Sequence, residues 1–193
     1  MAIFDGTTLE EARTIVARYP AGRERSAVMP LLYLAQSVEG RVTRVGLQEV
    51  AGLLGVTTAE VEAVASFYTM LRLRPTGRHV VSVCTNLTCA LRGANDVYEA
   101  AHQAAGIPHG EELSADEIVT LHEEECLGAC EKAPVVSIDF MYHDEVTPER
   151  MGELIASLRM GEVPPPSRGD PIRDFRAASR VLAGLPPHQE VDA

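Results

Sequence analysis

Four cysteines in two close pairs constrain the fold of this 193-residue chain more than any other feature. Cys84 and Cys89 form a C-x4-C pair, Cys126 and Cys130 form a C-x3-C pair, and the sequence has no other cysteine. Each pair can present two thiolates on one short loop, and the segment between the pairs is long enough for a fold to bring the loops together. Four convergent thiolates hold a soft metal, so the pattern predicts either zinc or an iron–sulfur cluster.

The spacing within the two pairs does not by itself decide which metal they bind. Tetrahedral zinc sites usually use C-x2-C knuckles, although spacers of up to about four residues occur. The C-x4-C spacing of Cys84 and Cys89 also occurs in plant-type ferredoxins. A structural zinc site and an iron–sulfur site are therefore both open on spacing alone.

The composition of the chain argues against several classes of function. The first residues show neither the basic segment nor the apolar stretch of a signal peptide, so we expect a cytoplasmic, reducing setting without disulfides. The formal net charge of −11 disfavours nucleic acid and anionic lipid as partners. No apolar run reaches the roughly 18 residues that span a membrane, so we expect no direct membrane insertion. The chain also lacks a glycine-rich nucleotide-binding motif.

Residues 1–75 are predicted to form a helical bundle, because apolar residues recur there at helical spacing. Capping boxes at residues 8–11 and 57–60 each supply a threonine and, three residues later, a glutamate. The predicted helices begin near Thr8, Ser26, Val45 and Thr57.

Residues 76–161 are predicted to form a compact α/β domain that carries the metal loops. The β-branched run from His79 to Val83 predicts a strand that ends at Cys84. Further strands are expected at residues 118–121, 135–138 and 141–143, with one helix after Cys89 and another starting at Thr147-Pro148. The proline-rich residues 162–193 are predicted to be a tail with one short helix around residues 174–183. The predicted fold class is therefore α+β: an N-terminal helical bundle, an α/β domain that carries the metal-binding cysteines and a C-terminal tail.

The residues around both cysteine pairs resemble a known family nearly residue for residue. Segments 83–94 and 125–136 are similar to the cluster loops of the 24 kDa subunit of respiratory NADH:quinone oxidoreductase (complex I). Residues 65–68 and 75–79 also match landmarks of that family. The resemblance covers most of the chain, but not the residues past about Gly161.

The resemblance implies that residues 76–161 are a thioredoxin-like domain with one [2Fe–2S] cluster. Cys84 and Cys89 would hold one iron and Cys126 and Cys130 the other, since each iron takes two thiolates. A cis peptide bond before Pro134 is a further hypothesis. Four nearby glutamates are expected to make reduction of the cluster harder and its potential low: Glu123, Glu124, Glu125 and Glu131.

The function that the resemblance implies is one-electron transfer as a subunit of NADH:quinone oxidoreductase, with no catalytic residue on this chain. FMN and NADH would bind only on a flavin-bearing 51 kDa-type partner subunit. We expect a cytoplasmic chain that is peripheral to the membrane as part of a multisubunit complex.

Two other functions compete with this hypothesis. Homologous small subunits of NAD-linked formate dehydrogenases and NAD-reducing hydrogenases carry the same cluster motif. A metal-dependent regulator is the second alternative, because residues 45–68 resemble a helix-turn-helix. Its second helix, however, carries Glu60 and Glu62 rather than the basic residues that contact DNA phosphates.

Overall fold

The computed structural model describes residues 2–187, which form two compact units. The helical unit combines residues 2–75 with residues 176–187, and the sheet unit comprises residues 76–175. Among the described residues, no single helix is long and apolar enough to cross a membrane. Helices α3 (Arg44–Leu54) and α4 (Thr58–Phe67) pass that test together by length and composition, but they bend by 119° at the break between them.

The helical unit is built on four N-terminal helices around an aliphatic core. Besides α3 and α4, these are α1 (Gly6–Val16) and α2 (Val28–Glu39), the latter preceded by a 3₁₀ turn. The largest fully buried side chains of this core are Ile15, Leu31, Leu32 and Leu34. The predicted helical character of residues 1–75 thus follows from apolar positions that repeat along each helix.

The two predicted capping boxes have different outcomes. At α4 the Thr57 hydroxyl accepts from the Glu60 N–H at 3.3 Å and the Glu60 carboxylate accepts from the Thr57 N–H at 2.9 Å, so this capping box is confirmed. The one predicted at residues 8–11 is wrong, because α1 already begins at Gly6. The Asp5 carbonyl accepts from the Thr8 N–H at 2.9 Å, which places Thr8 inside the first turn.

Helix α8 (Phe175–Leu182) is the short helix that the sequence predicts within the tail. From Arg176 onward it belongs to the helical unit, where Arg180 donates to the Glu11 carboxylate and to the Pro186 carbonyl. Gln36 of α2 also donates to the Ser179 hydroxyl at 3.1 Å. These contacts join helices that are far apart in sequence. Residues 188–193 of the predicted tail lie outside the described residues.

The sheet unit contains a four-stranded mixed sheet in the order β2-β1-β3-β4. Its strands are β1 (His79–Cys84), β2 (Val119–Glu124), β3 (Val136–Ile138) and β4 (Met141–His143). Strands β1 and β2 are parallel, whereas β3 is antiparallel to both β1 and β4. Helices α6 (Ala94–Ala105) and α7 (Pro148–Arg159) supply much of the apolar core that covers the sheet.

Local signals predicted most of the boundaries in the sheet unit. Thr147 caps α7 through the Arg150 N–H at 3.2 Å, and Pro148 takes the first helical position, as the sequence predicts. Strand β2 runs three residues further than predicted, to Glu124. Its last three residues, 122–124, are included because they pair in parallel with residues 82–84 of β1. The Ala133–Pro134 peptide bond is cis, which confirms that hypothesis.

Candidate metal centre

The sheet register brings both cysteine pairs to the same edge of the sheet. Cys84 is the last residue of β1, and its partner on the parallel strand β2 is Glu124, two residues before Cys126. The Cys84 N–H donates to the Val135 carbonyl at 3.1 Å, just before the antiparallel strand β3 begins. Parallel strands present their carboxyl ends at one edge, and an antiparallel neighbour starts there. The two cysteine-bearing segments therefore meet at this edge.

The first cysteine pair sits at a strand end and on a short helix. Helix α5 (Leu87–Leu91) begins before Cys89, where the sequence had predicted a loop, because the Asn86 side chain accepts from the Leu87 N–H at 2.7 Å and caps the helix. Cys84 and Cys89 are both buried. They pack in one apolar cluster with Ala94, Ala129, Ala133 and Val135. These contacts fix the two thiols against the body of the sheet unit.

The second cysteine pair lies on an exposed turn. Cys126 and Cys130 are both exposed, and a 3₁₀ turn starts at Cys130. Gly128 has a φ of +72°, a left-handed conformation that glycine adopts without strain. Its N–H donates to the Cys126 sulfur at 3.4 Å.

The electrostatic surroundings of the thiols favour an added cation. Burial raises the pKa of the Cys89 thiol to about 11, with further contributions from Cys84 and Cys130, while the Val135 N–H acts in the opposite direction. Cys89 therefore interacts with one cysteine of its own pair and one of the other pair. Deprotonating this buried thiol without a compensating charge is unfavourable, and a bound metal ion supplies that charge.

The donor set fits a binuclear iron–sulfur cluster. All four cysteines are free thiols. A [2Fe–2S] cluster divides its four thiolates between two irons, and the two pairs offer such a division. The residues present therefore suit this cofactor in number, chemistry and grouping.

The two histidines nearest the cysteines in sequence lie beside carboxylates. His79 begins β1, at the end opposite Cys84, and is buried with its Nδ1 2.6 Å from the Asp139 carboxylate. His122 lies on β2, where its ring nitrogens are 3.9 Å from Glu112 and 3.7 Å from Glu124. These contacts explain both histidines as structural residues.

Three of the four glutamates that lie near the cysteines in sequence have exposed side chains. Glu123, Glu125 and Glu131 are exposed, and Glu123 accepts from the Thr85 hydroxyl at 2.7 Å. Lys132, which follows Glu131, lies 3.8 Å from Glu145 and is partly neutralised by it. The effect of these charges on a reduction potential stays a prediction.

Sequence reasoning missed two residues at this edge. The Tyr142 hydroxyl on β4 donates to the Leu127 carbonyl at 2.7 Å, within the second cysteine turn. The Arg168 guanidinium lies 5.0 Å from the centre of the Tyr142 ring. The only sequence signal was an aromatic residue with a polar end on a short strand, and Arg168 lay in a segment predicted to be a tail.

Comparison with known proteins identifies the family of this chain. A sequence profile for thioredoxin-like [2Fe–2S] ferredoxins matches residues 12–159. An NADH-quinone oxidoreductase subunit of Mycobacterium tuberculosis is 46% identical over 176 residues, covering 91% of this chain and 69% of that protein. The subunit of the same name from Rickettsia bellii is 41% identical over 157 residues, covering 81% of this chain and 93% of that protein.

A solved structure supports the fold as well. The air-oxidised NAD+-reducing [NiFe]-hydrogenase aligns with a TM-score of 0.59 at 20% identity, covering 67% of this chain and 23% of that chain, a likeness of fold alone. The profile match includes both cysteine pairs, and the predicted resemblance and α+β fold class are confirmed. The chain therefore belongs to the thioredoxin-like [2Fe–2S] ferredoxin family.

Proposed function

We propose that this chain is the [2Fe–2S] electron-transfer subunit of an NADH-quinone oxidoreductase, with its cluster held by Cys84, Cys89, Cys126 and Cys130. One observation carries the proposal. The sheet register joins both cysteine pairs at one edge, in a chain that is 46% identical over 91% of its length to the Mycobacterium tuberculosis NADH-quinone oxidoreductase subunit.

The cysteines of each pair have complementary roles in this proposal. The buried thiolates of Cys84 and Cys89 anchor one iron against the sheet, and the exposed thiolates of Cys126 and Cys130 hold the other near the surface. When bound, a [2Fe–2S] cluster supplies one-electron chemistry. The Gly128 N–H, which donates to the Cys126 sulfur, stabilises negative charge on that side.

The electron source is proposed to be a separate flavin-bearing subunit of the 51 kDa type that binds FMN and NADH. This chain has no glycine-rich nucleotide motif, so those cofactors need another chain. Two leucines of α5, Leu87 and Leu91, are 70% and 78% exposed beside the first cysteine pair. Such apolar side chains next to a redox centre suit coverage by a partner protein.

The ligand assignment is tested by replacing each cysteine with serine in the full chain. Each variant is expected to lose most of its iron and acid-labile sulfide, while Thr88→Val, a change at an exposed position between Cys84 and Cys89, retains both. A cysteine variant that keeps a full complement of iron and sulfide would remove that residue from the ligand set.

The proposed assembly is tested by purifying the tagged chain from membranes of its own cells. FMN and NADH-dependent quinone reduction are expected to co-purify with it. Formate-dependent or hydrogen-dependent reduction of NAD+ by the same preparation would instead assign the chain to one of the related enzymes. DNA binding at low salt by the purified chain would support the regulator hypothesis and contradict the proposal.

A further inference from the structure

We propose that Tyr142 is a positioning residue for the second cysteine turn and that Arg168 holds Tyr142 in place. The inference rests on the proposed function, because it takes Cys126 and Cys130 to be ligands of the cluster. It concerns residues outside the ligand set, and its test is separable from the test of the ligands.

Tyr142 connects the sheet to the turn that carries the exposed cysteines. It lies on β4, where Ser137 of β3 is its partner, so the sheet ladder fixes its backbone. Its ring packs beside Leu127 against the apolar cluster of Cys84 and Cys89. Its hydroxyl donates to the Leu127 carbonyl at 2.7 Å, one residue after Cys126. The side chain thus ties the ligand turn to the sheet.

The turn needs such a tie because its own residues give it little rigidity. Cys126, Gly128 and Cys130 are all exposed. Gly128 has a left-handed backbone conformation, and a glycine can adopt many other conformations as well. The reduction potential of an iron–sulfur centre changes when the backbone around its sulfur ligands shifts. A hydrogen bond from a sheet residue to the middle of the turn restricts that shift.

Ser167 and Arg168 lie beside Tyr142 on β4. The Ser167 N–H donates to the Tyr142 carbonyl at 2.7 Å, and the Ser167 hydroxyl accepts from the Asp144 N–H at 2.8 Å. These contacts hold the chain along β4, so that the Arg168 guanidinium lies 5.0 Å from the centre of the Tyr142 ring. The segment predicted to be a tail therefore contributes to the cluster surroundings.

Arg168 itself contacts two carboxylates. Its Nη2 lies 2.6 Å from Asp144, and its Nη1 lies 4.0 Å from Glu131, the residue after Cys130. A cation over an aromatic ring is attracted to the ring face, which fixes the ring plane. The same cation offsets the negative charge of Glu131 beside the ligand turn. Arg168 thus acts on the turn through both geometry and charge.

The test compares Tyr142→Phe with a matched Tyr→Phe change away from the cysteines, using the cluster-loaded full chain. The control is Tyr33→Phe, which removes a hydroxyl that donates to the Met70 sulfur at 3.8 Å in the helical unit. Visible circular dichroism of the cluster, its midpoint potential and the rate of iron loss to a chelator are measured. For Tyr142→Phe we expect an altered dichroism spectrum and a several-fold faster loss of iron. The control should match the parent chain.

A second variant, Arg168→Gln, keeps the inference testable if Tyr142→Phe does not fold. It is expected to move the midpoint potential to a more negative value and to accelerate iron loss to a smaller extent. Parent-like spectra, potential and iron loss in whichever of the two variants fold would overturn the inference while leaving the proposed function intact. A parent chain that takes up no cluster would overturn both.

Discussion

His143, the buried histidine of β4, gives the sheet unit a defined sensitivity to mild acid. It is 6% exposed and is the partner of Val136 on β3. Burial, reinforced by the charge of Arg150, lowers the pKa of His143 from 6.5 to about 4, and Asp144 opposes this shift. The unfolded chain therefore takes up this proton at a higher pH than the folded chain does. The associated stability is complete above about pH 6.5 and is lost as the pH falls towards 4.

The size of this loss follows from proton linkage. With pKa values of 6.5 unfolded and about 4 folded, the free energy of unfolding falls by about 2 kcal/mol between pH 7 and pH 5. The loss reaches roughly 3 kcal/mol by pH 4. The exposed carboxylates whose pKa is lowered, such as Glu60 and Glu149, titrate mainly below this window. Because burial also raises the pKa of Asp139, the contribution of His143 is isolated by comparing a His143 variant with the parent chain, and not by the interval alone.

Urea unfolding of the full chain at pH 7 and pH 5 tests this reasoning. His143→Gln should lose about 2 kcal/mol less than the parent chain over that interval, because the titrating group is gone. His109→Gln is the matched control, since His109 has a side chain that is 72% exposed, and it should behave as the parent does. An equal loss of stability in His143→Gln and in the parent would refute the assignment.

Three further substitutions should lower the free energy of unfolding in urea, each by an amount that follows from the contacts of the residue that is replaced. In Gly77→Ala the new Cβ would lie 2.8 Å from the Ile118 carbonyl carbon and should cost about 2 kcal/mol, whereas Gly152→Ala, in open space on α7, should be neutral or stabilising. Asp139→Ala should cost about 3 kcal/mol, because it leaves the buried His79 without its carboxylate partner. Thr57→Ala should cost about 1 kcal/mol by removing the α4 cap. An unchanged value in any destabilising variant would contradict its stated cause.

The features predicted well from the sequence are those that local chemistry determines. The Thr57 cap and the Pro148 helix start each depend on residues within one turn. The cysteine pairs were informative for a related reason. Each pair is local, and a strand ending at Cys84 already indicated that the first pair lies at a sheet edge.

The features that were not predicted depend on residues far apart in the chain. The Arg180–Glu11 pair and the contact from Gln36 to Ser179 hold α8 in the helical unit, and neither has a local sequence signal. The same holds for Arg168 over Tyr142, which requires the edge position of β4 to be known. The start of α1 was misplaced because Asp5, whose side chain makes no capping hydrogen bond, precedes a threonine with a better capping pattern.

Metal and sulfide analysis of the anaerobically purified full chain, followed by EPR after dithionite reduction, tests whether the four cysteines hold a [2Fe–2S] cluster. The account predicts about two irons and two acid-labile sulfides per chain and an EPR signal from one unpaired electron per reduced cluster. About one zinc per chain with no sulfide and no EPR signal would contradict it, since the four cysteines would then form a structural zinc site.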